Sequence, residues 1–366
     1  MIFIHIGLSK AGSATIQTFL DTHESALREL SVDYPRLGRL NRNAHHNFAN
    51  ELKGRSDKFN PLSGSVSELA DYLRDTRHRT TVLSSEGFWT CSAQAVRRFA
   101  ANLAGVNAPI RIILVIRDMV DIAPSTYAQE VRHGIRTFDF DTFFEQKQAH
   151  DRFNAFEAAN RWADAFGWDA LVVRVLDPAM LVGGDLITDF LSQIGLDPES
   201  PLISNLPRRP RVNVSAGWKT LEAVRALFNG RSELDEDHPL ARRVAADPPD
   251  FRKKQIGVAA EVVGGELGWN LDRGRYLTLA QAQWLHDAYR GVLNALNARL
   301  ACDLPPPASL EARGFIAREF MPDAGRIPAA TLKDFYGMVE TQVETEAQLA
   351  LMAKKARKKA AKAARE

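Results

Sequence analysis

A segment near the start of the chain carries the first candidate chemistry. Residues 7–15, Gly-Leu-Ser-Lys-Ala-Gly-Ser-Ala-Thr, follow the largely apolar run Met1–Ile6 and precede apolar residues at helical spacing. This pattern predicts a strand, a tight turn and a helix. The backbone N–H groups of such a turn and the helix N-terminus attract an anion, and Lys10 adds a positive charge. The segment therefore predicts a binding site for phosphate or sulfate.

The position of the lysine separates this segment from the Walker A loop. In that pattern the lysine follows the second glycine, whereas Lys10 comes two residues before Gly12. The order resembles the 5′-phosphosulfate loop, K-x-G-[ST]-x-[ST], of sulfotransferases that use 3′-phosphoadenosine 5′-phosphosulfate. Ala14 stands where that family usually has a hydroxyl. The resemblance implies that the 5′ end of the cofactor is bound by Lys10, Ala11, Gly12, Ser13, Ala14 and Thr15.

A second motif follows another predicted buried strand, residues 110–116. It matches the 3′-phosphate pattern of the same family, R-D-x-x-D-x-x-x-S-x-Y, through Arg117, Asp118, Asp121, Ser125 and Tyr127. An arginine at the end of a strand can bind phosphate with two parallel hydrogen bonds. The resemblance implies that Arg117 and Ser125 bind the 3′-phosphate.

One departure from this motif concerns the helix that carries it. Family members usually have proline where Met119 stands, and this chain has Pro124 instead. Because proline removes a helix N–H, we expect Pro124 to kink the helix or delay its start.

Sulfuryl transfer to a hydroxyl also needs a base, and the sequence leaves two candidates open. Glu86 ends a segment, residues 80–86, that resembles the family's strand ending in S-S-E. A partly buried carboxylate there could have its pKa raised into a useful range. His46 is the alternative, since an imidazole titrates near neutral pH. Lys10 is the candidate that stabilises the departing phosphate oxygen.

Two further expectations concern the cofactor site. Sulfotransferases often bring a late basic loop over the 3′-phosphate, which makes Arg209, within the cluster Arg208, Arg209 and Arg211, a candidate contact. A charged surface loop is the alternative. We expect no metal site, because the cofactor is not a nucleoside triphosphate that needs Mg²⁺ and no acidic metal motif is evident.

The alternation of predicted strands and helices favours an α/β fold. We expect a three-layer α/β/α arrangement with a central parallel sheet, helical insertions and a C-terminal helix. The resemblance places a sulfotransferase domain at residues 1–320 and a helical extension with a basic tail at 321–366. Residues 13–30 and 139–166 are predicted to be helical, and residues 31–66 to be a loop-rich insertion that faces the acceptor.

Composition narrows the class of protein. The chain has 47 basic and 45 acidic residues. Its last thirteen residues include seven basic residues and one acidic residue, so the rest of the chain has 40 basic and 44 acidic residues and a net charge of −4. This balance does not support a nucleic-acid binder. The tail itself is a solvated helix end or, alternatively, a weak contact for an anionic membrane surface. Cys91 and Cys302 predict neither a disulfide framework nor a metal cluster.

The sequence therefore predicts a sulfotransferase that transfers the sulfuryl group from 3′-phosphoadenosine 5′-phosphosulfate to a hydroxyl of a small molecule or glycan. We expect a cytoplasmic location, since the chain begins with a strand and has no long apolar run. A P-loop kinase acting on a small molecule or sugar is one alternative. A catalytically inactive sulfotransferase-like binding protein is the other. The resemblance names no acceptor.

Overall fold

The computed structural model describes residues 1–40, 43–75, 79–146, 154–207, 216–232, 234–245, 249–272, 275–300 and 303–363. It forms two compact units that each combine separate stretches of the chain. The first comprises Met1–Ile122, His150–Pro210 and Trp284–Ser309, and the second comprises Ala123–Ala149, Arg211–Gln283 and Leu310–Glu366. None of the helices in the described ranges combines the length and apolar character that crossing a lipid bilayer requires.

A five-stranded parallel sheet lies in the first unit. Its strands, numbered along the chain, are β1 (Ile2–His5), β2 (Val32–Asp33), β3 (Thr80–Ser84), β4 (Ile110–Ile116) and β5 (Leu171–Val175). All neighbours pair in parallel, in the order β2-β3-β1-β4-β5. The central strands are largely apolar because helices cover both faces of such a sheet. The predicted α/β fold with a central parallel sheet is confirmed.

The helices account for most of the remaining described chain. In chain order they are α1 (Ser13–Thr22), α2 (Glu24–Glu29), α3 (His46–Leu52), α4 (Val66–Asp75), α5 (Ala93–Leu103), α6 (Met119–Arg132), α7 (Phe140–Glu145), α8 (Ala155–Phe166), α9 (Leu186–Gln193), α10 (Pro201–Ser204), α11 (Trp218–Phe228), α12 (Pro239–Ala245), α13 (Pro249–Glu266), α14 (Leu279–Asn297) and α15 (Ala329–Ala363). Short 3₁₀ turns occur between them, of which Glu86–Thr90 follows β3.

The second unit is helical in its described part. Within it α13 packs against α11, α12 and α15, and Trp269 stacks on Phe335 with ring centroids 4.8 Å apart. The sequence did not predict α13, since the pair Gly264-Gly265 is unfavourable inside a helix. A side chain on Gly264 would overlap Thr220 of α11, so its glycine permits the close approach of the two helices.

Several predicted boundaries differ from the structure. The predicted helix 13–30 is interrupted at His23, which separates α1 from α2. The stretch 31–66 is less irregular than expected, because it contains β2 and α3. The predicted helix 139–166 is described as α7 and α8, and residues 147–153 between them lie outside the described ranges. The predicted domain boundary at residue 320 stays a prediction, and the compact units have other bounds.

Pro124 does not delay the start of its helix, which was one of the two effects expected of it. The helix α6 begins at Met119 with Pro124 inside it. Asp118 supports this start, because its carboxylate accepts a hydrogen bond of 2.8 Å from the Val120 N–H. The carbonyl of Asp118 accepts from Asp121 and Ile122. A capped first turn therefore forms before the proline is reached.

The strand order determines where a ligand site is expected. From β1 the chain continues towards β2 on one side, whereas from β4 it continues to β5 on the other. In open parallel sheets, ligands bind at the carboxyl ends of the strands where the chain direction diverges in this way. Both predicted anion motifs follow these two neighbouring strands. The fold thus brings segments about one hundred residues apart in sequence to one sheet edge.

Candidate functional site

The turn after β1 has a constrained backbone. Hydrogen bonds from Ile6 N to Ile113 O (3.0 Å) and from Leu8 N to Val115 O (3.4 Å) extend the pairing with β4 into the turn. Lys10 then adopts φ 70° and Gly12 adopts φ 84°. The left-handed region is unfavourable for a residue with a side chain, and lysine is rarely found there. The conformation of Lys10 is therefore imposed by the turn and not by its own preference.

The turn leads directly into the N-terminus of α1. Gly12 is the N-cap residue, no described side chain caps α1 and its first turn holds no acid. Such a terminus presents unsatisfied N–H groups and a partial positive charge. Ser13 is buried and its hydroxyl donates to Leu8 O at 3.4 Å, whereas Ala14 and Thr15 are exposed. The segment Lys10–Thr15 thus combines a left-handed turn with an uncapped helix N-terminus, a backbone that suits an anion. Anion binding by these residues stays a prediction.

Gly12 is a position at which a side chain would be unfavourable for two reasons. A Cβ there would overlap Leu186 of α9 and would have to adopt the left-handed conformation. We expect Gly12→Ala to lower the free energy of unfolding by more than the roughly 1–2 kcal/mol of the backbone term, and to weaken anion binding. Urea unfolding measures the first effect and calorimetry with adenosine 3′,5′-bisphosphate the second.

Gly54 provides the matched control for this substitution. It has φ 66°, and a Cβ at this position would meet nothing within 4 Å. The Gly54→Ala variant should therefore show the backbone cost alone. Equal losses of stability in the two variants would contradict a steric role for the Gly12–Leu186 contact.

Arg117 connects the two predicted motifs. It follows β4, and its Nη1 donates a hydrogen bond of 3.2 Å to the carbonyl oxygen of Lys10. Its Nε lies 3.7 Å from a carboxylate oxygen of Asp121, with the Arg117 side chain 32% exposed. A guanidinium has five N–H donors, so these contacts leave capacity for an anion. The structure brings Arg117 against the turn that contains Lys10.

Two predicted cofactor contacts are not placed with this group. Ser125 is half-buried on α6, and it belongs to the second compact unit. Arg209 lies outside the described residues. Both assignments stay predictions.

Glu86 lies at the carboxyl end of β3, next to β1 in the sheet. Gln17 of α1 donates from its amide nitrogen to the Glu86 carboxylate at 2.7 Å and to the Ser84 hydroxyl at 3.2 Å. Glu86 is half-buried and Gln17 is buried. The helix α1, which follows the turn at residues 7–12, therefore also orients the carboxylate of this candidate base. We call residues 7–12 the anion turn, after the binding site that the sequence predicts there.

His46, the alternative base, lies close to Glu86. It is the first residue of α3, and its Nδ1 is 2.8 Å from the hydroxyl oxygen of Ser85. That oxygen also accepts a hydrogen bond of 3.1 Å from the Gly87 N–H. The structure thus brings both candidates to the end of β3, on either side of Ser85.

Sequence analysis missed a buried polar network beneath these residues. His5 Nδ1 lies 2.8 Å from the Ser84 hydroxyl, and the Ser84 N–H donates to His45 Nδ1 at 3.1 Å. Burial lowers the pKa of His5 to about 4 and that of His45 to about 3, so both rings are neutral near pH 7. His5 and Gln17 interrupt apolar patterns on β1 and α1, a signal that could have indicated an inward-facing polar group.

Comparisons with known proteins give a distant structural likeness. No protein-family model and no curated protein sequence matches the chain. A crystal structure of a sulfotransferase from Alicyclobacillus acidocaldarius is similar at 15% sequence identity and a TM-score of 0.36, over 54% of this chain and 81% of that chain. At these values the likeness carries no conclusion about function.

Proposed function

We propose that this protein is a sulfotransferase that binds 3′-phosphoadenosine 5′-phosphosulfate and transfers its sulfuryl group to an acceptor hydroxyl. The observation that supports this most is the contact between Arg117 and the backbone of Lys10. It joins the two segments that resemble the 5′-phosphosulfate and 3′-phosphate motifs. A cofactor with anionic groups at both ends of one nucleoside needs two such cationic groups close together.

The residues at this sheet edge fit an anionic cofactor. The N-terminus of α1 has no described side-chain cap and no acid in its first turn. Lys10 and Arg117 add two formal positive charges to it. Gly12 excludes a side chain where the backbone would approach a phosphate. The chemistry of this donor set suits phosphate or sulfate oxygens.

The roles of the residues follow from where charge and protons move. When bound, the cofactor supplies an activated sulfuryl group. Lys10 and the N-terminus of α1 stabilise the negative charge that develops on the departing phosphate oxygen. Glu86 or His46 takes the proton of the attacking hydroxyl. Arg117, with Ser125 and Arg209 as further candidates, holds the 3′-phosphate and so positions the nucleoside.

Calorimetry with adenosine 3′,5′-bisphosphate tests the cofactor assignment. We expect wild-type protein to bind this product and Arg117→Ala to bind it about tenfold to hundredfold more weakly, as expected for the loss of a charged hydrogen-bond pair. Arg111→Ala is the matched control, because Arg111 lies towards the other end of β4 and donates to the Asp169 carbonyl. Its affinity should equal that of wild type.

Activity assays beside this calorimetry distinguish the alternatives. Activity that depends on ATP and Mg²⁺ would favour the kinase and contradict the proposal. Tight binding of adenosine 3′,5′-bisphosphate without turnover on any acceptor would favour an inactive binding protein. The acceptor, a hydroxyl on a small molecule or glycan, and the cytoplasmic location remain predictions from the sequence.

A further inference from the structure

Two histidines are completely buried beside the candidate site, but only His45 has partners for both ring nitrogens. His45 Nδ1 accepts from the Ser84 N–H, and its Nε2 donates to the Pro35 carbonyl at 3.0 Å. His5 has a partner for Nδ1 alone, while its Nε2 has no hydrogen-bond partner among the described residues. Buried polar atoms are almost always hydrogen-bonded because leaving one unsatisfied is costly. The Nε2 of His5 can therefore make one further hydrogen bond, with a water molecule or with a ligand atom.

The position of this nitrogen indicates which ligand. A Cβ on Gly7 would overlap His5 Nε2 and would lie 2.5 Å from the hydroxyl oxygen of Ser13. His5 Nε2 and the hydroxyl oxygen of Ser13, the first residue of α1, thus both lie next to the position that a Cβ of residue 7 would occupy. Only a glycine at position 7 allows this approach. The imidazole reaches from β1 to the turn that ends at the uncapped N-terminus of α1.

The direction of the Ser84 hydroxyl proton determines which nitrogen of His5 carries the ring proton. The Ser84 hydroxyl oxygen accepts from Gln17 and lies 2.8 Å from His5 Nδ1. When the hydroxyl proton of Ser84 points to Nδ1, the proton of the neutral ring must be on Nε2. His5 then presents an N–H donor to the inner side of the turn.

We propose that His5 is a ligand-binding residue whose Nε2–H donates a hydrogen bond to the anionic group held by residues 7–13. On the proposed function, this group is the 5′-phosphate end of the nucleotide, and its identity rests on that proposal. The hydrogen bond itself requires only an anion in the turn. Ser84 and Gln17 act as positioning residues, because the Ser84 hydroxyl contacts Nδ1 of the ring and itself accepts a hydrogen bond from the Gln17 amide. The bound anion supplies the missing acceptor for Nε2–H.

Nuclear magnetic resonance of ¹⁵N-histidine-labelled wild-type protein tests this directly. We expect His5 to be the Nε2–H tautomer in the free protein, and its Nε2–H signal to shift on saturation with adenosine 3′,5′-bisphosphate. The pKa of His5 should rise on binding, because a nearby anion favours the charged ring. The signals of His45, equally buried but fully hydrogen-bonded, should stay unchanged. An Nδ1–H tautomer, or a His5 signal that ignores the bound nucleotide, would overturn the inference.

Inorganic pyrophosphate as a second probe separates this inference from the proposed function. A His5 response to pyrophosphate, in a protein that does not bind the nucleotide, supports the His5 contact and contradicts the nucleotide assignment. Nucleotide binding that leaves His5 unaffected contradicts the contact and leaves the sulfotransferase proposal standing. A protein that binds neither probe contradicts both.

A pair of variants provides an independent measurement. In His5→Gln the amide nitrogen can take the place of Nε2–H, whereas in His5→Asn it can replace only Nδ1. We expect His5→Asn to bind adenosine 3′,5′-bisphosphate about tenfold more weakly than His5→Gln, the value of one hydrogen bond to a charged group. Thermal melts identify any variant that is unfolded. Equal affinities in two folded variants would contradict the assigned donor.

Discussion

The Lys10→Ala variant is expected to lose about a hundredfold to a thousandfold in kcat for sulfuryl transfer, the usual effect of removing one charge-stabilising donor. The affinity for adenosine 3′,5′-bisphosphate should fall much less. The difference arises because negative charge on the departing oxygen is largest in the transition state. Steady-state kinetics with an active acceptor and product-binding calorimetry together measure the two effects.

The backbone conformation at Lys10 limits the side effects of the Lys10→Ala substitution. Lys10 already has φ 70°, and alanine carries the same Cβ, so the strain of the turn is not relieved. Loss of the amine is then the main change. Lys10→Gly, which also removes the strain, should be at least as inactive but more stable than Lys10→Ala. A kcat close to wild type in Lys10→Ala would remove this lysine from the reaction.

Glu86→Gln is the second substitution with a large expected effect. The amide has the shape of the carboxylate but cannot take a proton at neutral pH. We expect kcat to fall about a hundredfold or more, as for loss of a general base, with the affinity for adenosine 3′,5′-bisphosphate unchanged. Gln17 makes Glu86 the favoured candidate, because its 2.7 Å hydrogen bond ties the carboxylate to the helix that begins at the anion turn.

His46→Gln is the matched variant for the competing assignment. It keeps a polar side chain at the start of α3 and removes the imidazole beside Ser85. We expect its kcat to fall less than tenfold, an effect smaller than that of losing a general base. The reverse order of the two effects would make His46 the base, and small effects in both would exclude both residues.

Local sequence patterns predicted the strands better than the helices. Strand β4 has the predicted bounds because a strand buried in a parallel sheet is largely apolar. The start of α6 was misjudged, since the proline rule ignores the cap that Asp118 provides. The helix α13 was missed, because Gly264 serves a packing contact with α11 that no local rule contains.

For this protein, the sequence by itself determined the α/β class and the strand, turn and helix around residues 7–15, because strand burial, turn chemistry and motif spacing are local properties. The tertiary structure decided that Arg117 contacts Lys10 and that Glu86 and His46 lie at one strand end. It also placed His5 against the turn. These neighbours come from different strands and helices, and their proximity depends on strand order, which no single segment encodes.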